Sequence, residues 1–473
     1  MNIPEKIKSS ITLIGKLDDF EIYPVVSNNK TDNFDSIVCG LMTIEGIKTA
    51  VIFSNTEVKA GSLNTYSVNK INKLLDKAEK ERLPILAHFE STGARIQDGI
   101  FIMKNVSALF YRLSKLSGLV PTICIQSGIN SGATAYCAAL MDIVIMIGKQ
   151  SQSFITGPKV IKRMLGRDDA LHEIGNSNMH AAQTGFCTYL ASDETEAYQT
   201  IKKMLCLLYK KEHTKFSQHT IEKKFDFDVM LQKMQNKQAY DILPFINYLC
   251  DENSFIHLYQ EYAKNCITAF ASIHNHAIGI IANQSCHLSG ALDVAACKKI
   301  ARFIQLCNAY RLPMIFIADC PGFMPGKDAE EQGILLAGAK ILDSISNSTV
   351  PKINLVINKL IGGAYAAMCP KDMGANYAFA WTNAQIAVMG LDAAFEIIYK
   401  KQFEAATDKS VVKQKCIQEF HDQYANLHHC LNEKMIDKII TPESTKATLI
   451  ACLNSFEYKD IASKSKKNHL SQL

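Results

Sequence analysis

One supersecondary pattern occurs twice in this chain, and that duplication limits the folds open to it. Between residues 51 and 158, and again between 278 and 390, short β-branched runs alternate with longer helical periodicities. This alternation is the signature of a parallel α/β sheet with crossover helices. In the first stretch, 84–89 reads as a strand, 100–117 as a helix and 122–126 as a strand. A turn of glycine and small residues then opens a helix over 132–141, and a strand follows over 143–147. In the second, 313–318 reads as a strand, 333–346 as a helix and 352–357 as a strand, and a glycine turn opens a helix over 363–368. The turns centre on Gly132, 37 residues beyond Arg95, and on Gly363, 41 residues beyond Gly322. A repeat of about 230 residues is far too long for a solenoid, so two like-folded domains are expected. Their bounds read 1–209 and 241–473, with 210–240 as a charged helical connector lacking Gly and Pro.

Composition closes off other classes. With 48% hydrophobic residues and a net charge of only +5, a disordered chain is excluded and a nucleic-acid footprint is not expected. Lys464, Lys466 and Lys467 read as a solvated tail. No run approaches the roughly 18 apolar residues of a membrane span, and 1–17 lacks an apolar leader core. A cytoplasmic protein without membrane insertion is expected. The 15 cysteines include no CxxC pair, so they read as free core thiols rather than a disulfide frame or zinc ribbon. No metal site is expected, because no histidine lies in a recognisable ligand spacing.

Chemistry can sit at the two turns. Gly128–Ala133 and Leu360–Ala364 each lead from a strand into a helix start. Free backbone N–H groups gather there at the positive end of the helix dipole, and small residues let an anionic oxygen approach them. Gly132 with Ala133, and Gly363 with Ala364, are the candidate oxyanion donors. The loop 90–99 follows a strand, where α/β proteins place ligands, and its Arg95 suits an anionic group. The loops 154–158 and 319–326 are rich in Gly and Pro and hold fixed paths. There is no P-loop, no strand-linked GxGxxG, no HExxH and no GxSxG. No Ala-Met-Lys-Met biotinylation sequence occurs either.

Taken in order, these motifs resemble the carboxyltransferase (beta) subunits of biotin-dependent acyl-CoA carboxylases, of the propionyl-CoA carboxylase beta type. The family loop Ser-Gly-Gly-Ala-Arg-Ile-Gln-Glu-Gly is similar to 91–99, which holds Gly93, Ala94 and Arg95. The family's Gly-Gly turn with a Tyr three residues on corresponds to Gly132, Ala133 and Tyr136. Phe154, Thr156 and Gly157 match directly. So do Asn283-Gln284, Ser289-Gly290, Leu292-Asp293 and Pro321, Gly322 and Phe323 with Pro325-Gly326. Gly362, Gly363, Ala364, Tyr365 and the run 387–390 complete the series. The chain departs from the family at Thr92 and Ala133, each standing for a glycine, and at Ala393.

The resemblance implies two tandem crotonase-like (ClpP/crotonase) domains. It also implies a carboxyl transfer between N1 of carboxybiotin, on a separate carrier protein, and the α-carbon of a small acyl-CoA such as propionyl-CoA or acetyl-CoA. The N-terminal domain would take acyl-CoA and the C-terminal domain biotin. The active sites would be intersubunit, in a homo-oligomer such as a hexamer, and a biotin carboxylase and biotin carrier would be the partners. Such a transfer develops charge on two oxygens, which two sets of amides could receive. The direction of transfer stays open between a carboxylase and a decarboxylase component, and the departures leave room for a scaffold subunit.

Overall fold

The computed structural model describes residues 3–22, 35–210, 223–404 and 408–456. Contacts among these residues form two compact units. Residues 3–22, 35–210 and Leu258–Tyr262 make the first; 223–257 and 263–456 make the second. The segment Leu258–Tyr262 belongs with the first unit, where the Tyr259 amide donates to the Thr188 carbonyl at 2.7 Å.

The first unit opens with helix α1 (Glu5–Ile14), which buries Ile7, Ile11 and Ile14 on one face. It continues through β1 (Glu21–Ile22), β2 (Ile37–Ile44), β3 (Ile47–Ser54), α2 (Thr65–Glu81), β4 (Ile85–Ser91), α3 (Ile100–Leu116) and β5 (Thr122–Ser131). Then come α4 (Ala133–Leu140), β6 (Ile143–Ile147), β7 (Gln152–Phe154), α5 (Pro158–Leu165) and β8 (Tyr189–Ala191). The sheet order is β1-β2-β3-β4-β5-β6-β8, with β7 also pairing β5. After the β2–β3 hairpin, β3 through β6 and β8 run parallel, which requires the crossover helices that the periodicity predicts. The central strands are covered on both faces, and for this reason β4 and the first six residues of β5 are buried almost without alternation.

The second unit repeats the plan with β9 (Ile256–Leu258), β10 (Cys266–Ile273), β11 (His276–Asn283), α6 (Val294–Ala309), β12 (Met314–Cys320), α7 (Ile334–Ser346), β13 (Lys352–Ile361), α8 (Ala364–Ala367), β14 (Tyr377–Trp381), β15 (Gln385–Ala387) and β16 (Lys438–Ile440). Its sheet order is β16-β14-β13-β12-β11-β10-β9, with β15 pairing β13. Trp381 is fully buried among Phe227 and Phe245, and its indole donates to Thr445 Oγ1 at 2.9 Å.

The duplication reaches single residues. An offset of 229 carries Gly61 to Gly290, Asn64 to Asp293, Lys70 to Lys299, Glu90 to Asp319 and Gly93 to Gly322. Asn64 caps α2 by accepting from the Ser67 amide, and Asp293 caps α6 by accepting from the Ala296 amide. Lys70 and Lys299 are both buried and donate to main-chain carbonyls, those of Ile37 and Cys266.

Of the expected connector, 211–222 lie outside the described residues. The remainder carries the helix Phe227–Gln235, and Phe225 and Phe227 join the second unit's aromatic cluster with centroids 4.9 Å apart. Apolar residues thus anchor the end of a stretch whose charge alone read as a linker. Lys464, Lys466 and Lys467 also lie outside the described residues. All 15 cysteines are free, and all but Cys206 and Cys286 are buried. Among the described residues, no helix is long and apolar enough to cross a membrane, and no cluster of His, Cys, Asp and Glu could hold a metal.

Candidate active site

Both predicted turns form, and each is made by a strand that changes partner. From Phe89 to Ser91 β4 advances two residues, while β5 advances four, from Gln126 to Asn130. From Ala318 to Cys320 β12 advances two residues, while β13 advances four, from Val356 to Leu360. Each excess is a bulge, which bends its strand and re-aims its end. Beyond the bulge β5 leaves β6 and pairs β7, and β13 leaves β14 and pairs β15. This second pairing extends the strands to Ser131 and Ile361, well past 126 and 357, where the apolar runs end.

The strand ends then turn at Gly132 (φ 57°) and Gly362 (φ 60°). The Gly132 amide donates to the Phe154 carbonyl at 3.0 Å, and the Gly362 amide donates to the Ala387 carbonyl at 2.9 Å. The first helical bonds follow at once, from Tyr136 to Gly132 and from Tyr365 to Gly362. Gly132 therefore corresponds to Gly362, and Ala133 to Gly363. This corrects the spacing argument, which centred the second turn one residue later. It also corrects the donor assignment for Gly132, because its N–H already serves the β5–β7 ladder. The amides of Ala133 and Thr134 in one unit, and of Gly363 and Ala364 in the other, are among those at the helix starts that have no acceptor among the described residues. Ala133 is half-buried and Gly363 exposed, whereas Thr134 and Ala364 are buried, so the first residue of each pair is the one that meets the surface.

Loops wall each cradle. The segment 92–95 runs beside Leu63: Leu63 donates to Gly93 O and Arg95 donates to Leu63 O, each at 2.8 Å. Leu292 donates to Gly322 O and Met324 to Leu292 O in the same way, at 3.0 and 2.8 Å. Gly93 is required here, because a Cβ would come 2.8 Å from the Ser131 carbonyl. Ala94 packs on the first core, and Thr92 is exposed. Arg95 donates from Nε to Ser62 Oγ at 3.0 Å, while its buried Nη2 has no partner among the described residues. Its counterpart is Met324, so only the first unit places a cation on this loop.

Phe154 lies at the end of β7, followed by Thr156 and by Gly157, which caps α5 ahead of Pro158. In the second unit, Pro321 and Gly322 lead to Phe323. The Phe323 ring lies between Gly338 of α7 and Gly363, where a Cβ would approach it to 3.1 and 3.3 Å. Burial, helped by Asp372, pushes the Tyr365 phenol up to about 12.

Several polar groups at these strand ends escape a reading by motif. Glu90 accepts from Lys6 at 2.5 Å and from Ser127 Oγ at 3.4 Å. Asp319 accepts from the Tyr240 phenol at 2.5 Å and pairs with Lys359 at 3.1 Å. Aligning the halves on Gly93 and Gly322 would have found both acids. His88, on β4, bonds Tyr198 Oη at 2.8 Å and Ser127 Oγ at 2.7 Å. Burial, then the Lys6 charge, lowers the His88 imidazole to about 3, so it is neutral in the folded chain. An unfolded histidine titrates near 6.5. Between these values the unfolded chain binds a proton that the native one does not. The contribution of His88 is therefore complete above pH 6.5 and falls as pH drops towards 3. Urea unfolding at pH 7 and pH 5 should show His88→Gln losing about 2 kcal/mol less stability across that interval than the parent. Equal losses would place the titration elsewhere.

The chain matches the carboxyl transferase domain family over residues 17–470. It is 35% identical over 435 residues to a putative propionyl-CoA carboxylase beta chain of Bacillus subtilis (strain 168), covering 92% of this chain and 86% of that one. It is 33% identical over 430 residues to the methylmalonyl-CoA decarboxylase subunit alpha of Propionigenium modestum, covering 90% and 83%. Among solved structures, the hexameric transcarboxylase 12S with methylmalonyl-coenzyme A and methylmalonic acid bound superposes with a TM-score of 0.87. The identity there is 31%, over 94% of this chain and 88% of that one.

Proposed function

Because the chain belongs to the carboxyl transferase domain family, we propose that it moves a carboxyl group between carboxybiotin on a separate carrier protein and the α-carbon of a small acyl-CoA. Propionyl-CoA and acetyl-CoA are the substrates we favour. It is a carboxyltransferase of the biotin-dependent acyl-CoA type, built on two tandem crotonase-like units. The observation that carries the finer reading is the pair of helix starts with unused amide donors, one per unit, at the same place in the repeat.

Residues 1–209 take the acyl-CoA in this reading. The amides of Ala133 and Thr134 receive the thioester oxygen as it gains charge, and Arg95 offers its unpaired nitrogen to an anionic group of the substrate. Gly93, Ala94, Phe154, Thr156 and Gly157 shape the walls. Residues 241–473 take biotin. In this reading the flat, uncharged ring lies beside the turn, where Gly363 packs against Phe323 without a side chain of its own and the amides of Gly363 and Ala364 have no acceptor among the described residues. Pro321, Gly322, Gly362 and Tyr365 frame that turn. Bound biotin supplies the carboxyl carrier. This chain's residues supply preorganised donors and hold the reactants in line, which are the terms that gain most in a water-poor site. Donors that stabilise one transition state serve transfer in both directions.

The partners are a biotin carrier and a biotin carboxylase. The working assembly is a homo-oligomer, with the hexamer of transcarboxylase 12S as its precedent. Incubating the purified protein with free biotin and a panel of malonyl- and methylmalonyl-type thioesters should give carboxyl exchange with at least one of them. A folded oligomer inert towards the whole panel would overturn the reading.

A further inference from the structure

Each bulge that aims a cradle has an acid opposite it. In the first unit the bulge holds Ser127, Gly128 and Ile129, and the carboxyl of Glu90 lies against its centre. A Cβ on Gly128 would meet Glu90 Oε1 at 2.6 Å and Cδ at 2.7 Å, so this glycine makes room for the acid. Ser127 Oγ donates to Glu90, and Lys6 Nζ reaches it from α1. In the second unit the bulge holds Ile357, Asn358 and Lys359. Asp319 accepts from the Lys359 amide at 3.4 Å, from the Tyr240 phenol and from Lys359 Nζ. The longer acid lies against a glycine, whereas the shorter one meets the amide and the ammonium of Lys359.

A bulge leaves main-chain groups outside the ladder. Asp319 takes up such a group, the Lys359 amide, whereas Glu90 accepts from the Ser127 hydroxyl and packs against Gly128; a carboxylate so placed, and itself held by an ammonium, fixes the path of the strand beyond it. Asp319 is 1% exposed and has three donors, so it is tightly held. Burial and the neighbouring Asp319 keep the Tyr240 phenol protonated as a donor. Glu90 and Lys6 are 29% and 48% exposed, and water weakens that pair.

We propose that Glu90 and Asp319 are matched positioning residues, each carboxylate bracing one bulge and thereby one amide cradle, with Lys6 and Lys359 as the ammonium groups that hold them. The assignment of each brace to one substrate rests on the function proposed above; the bracing itself does not.

Hydrogen–deuterium exchange on the full-length protein tests the bracing. Asp319→Asn and Lys359→Met should speed exchange in 357–366 about tenfold, the equivalent of one charge-assisted hydrogen bond, and leave 127–136 unchanged. Glu90→Gln and Lys6→Met should do the reverse, with a smaller change for Lys6. Lys359→Arg, which keeps the charge, should restore slow exchange. A folded Asp319→Asn protein with parental exchange in 357–366, or one loosened equally in both segments, would overturn the proposal. In the carboxyl-exchange assay, Asp319→Asn should raise KM for free biotin, and Glu90→Gln should raise KM for acyl-CoA. If the parent protein transfers no carboxyl group, the functional reading falls while the exchange arm still decides the bracing.

Discussion

Ala133→Pro lowers the rate of carboxyl exchange about 10²–10³-fold, the usual effect of removing one oxyanion donor, while the protein stays folded. Ala133 is the first residue of α4, a position where proline is well accommodated because its missing N–H has no helical partner. The preceding residue is Gly132, which tolerates the conformations that a following proline imposes. The Ala133 amide has no acceptor among the described residues, so the substitution removes a donor only from the cradle. Ala133→Ser keeps the amide and should retain most of the rate. Steady-state exchange with the preferred thioester, beside circular dichroism and oligomer size, decides the matter. A folded Ala133→Pro protein with full activity would show that this amide stabilises no charge.

Gly362→Val should abolish exchange to below roughly 1% of the parent rate, through geometry rather than through a lost donor. Gly362 sits at φ 60°, a region that β-branched residues rarely adopt, and a Cβ there would press on the Val388 carbonyl at 3.2 Å. Relief requires the strand end to rotate, which carries the Gly363 and Ala364 amides with it. The loss should appear with free biotin as acceptor, whereas acyl-CoA binding measured by calorimetry should persist, because the first unit is untouched. Retention of exchange would place the chemistry away from this turn. Gly362→Asn, which tolerates positive φ better, should recover part of the rate.

Much of this arrangement is legible in the sequence, for physical reasons that differ by element. The central strands declare themselves because both faces are covered, so 84–89 and 313–318 are nearly unbroken apolar runs. Gly132, Gly362 and Gly363 declare themselves because a close backbone turn admits little but small residues. The bulges leave no such mark. They are a property of register between two strands, and no residue type is reserved for them except Gly128, whose reason is the length of Glu90. The loss of the Gly132 amide to Phe154 is likewise a pairing event and has no local signature. The acids at 90 and 319 were legible only through the repeat, since one stands before Ser-Thr-Gly and the other before Cys-Pro-Gly. His88 and Tyr198 are 110 residues apart, and only the folded chain brings them together.

The donors of both cradles are peptide groups, and this has a consequence for how such a site can change over time. Substitutions among small side chains at 133, 134 and 364 rewrite the gene without rewriting the chemistry, because every residue but proline brings the same N–H. A saturation screen of this enzyme should therefore find its most demanding positions at bare glycines and at hidden supports. An inventory confined to reactive side chains would pass over the machinery altogether.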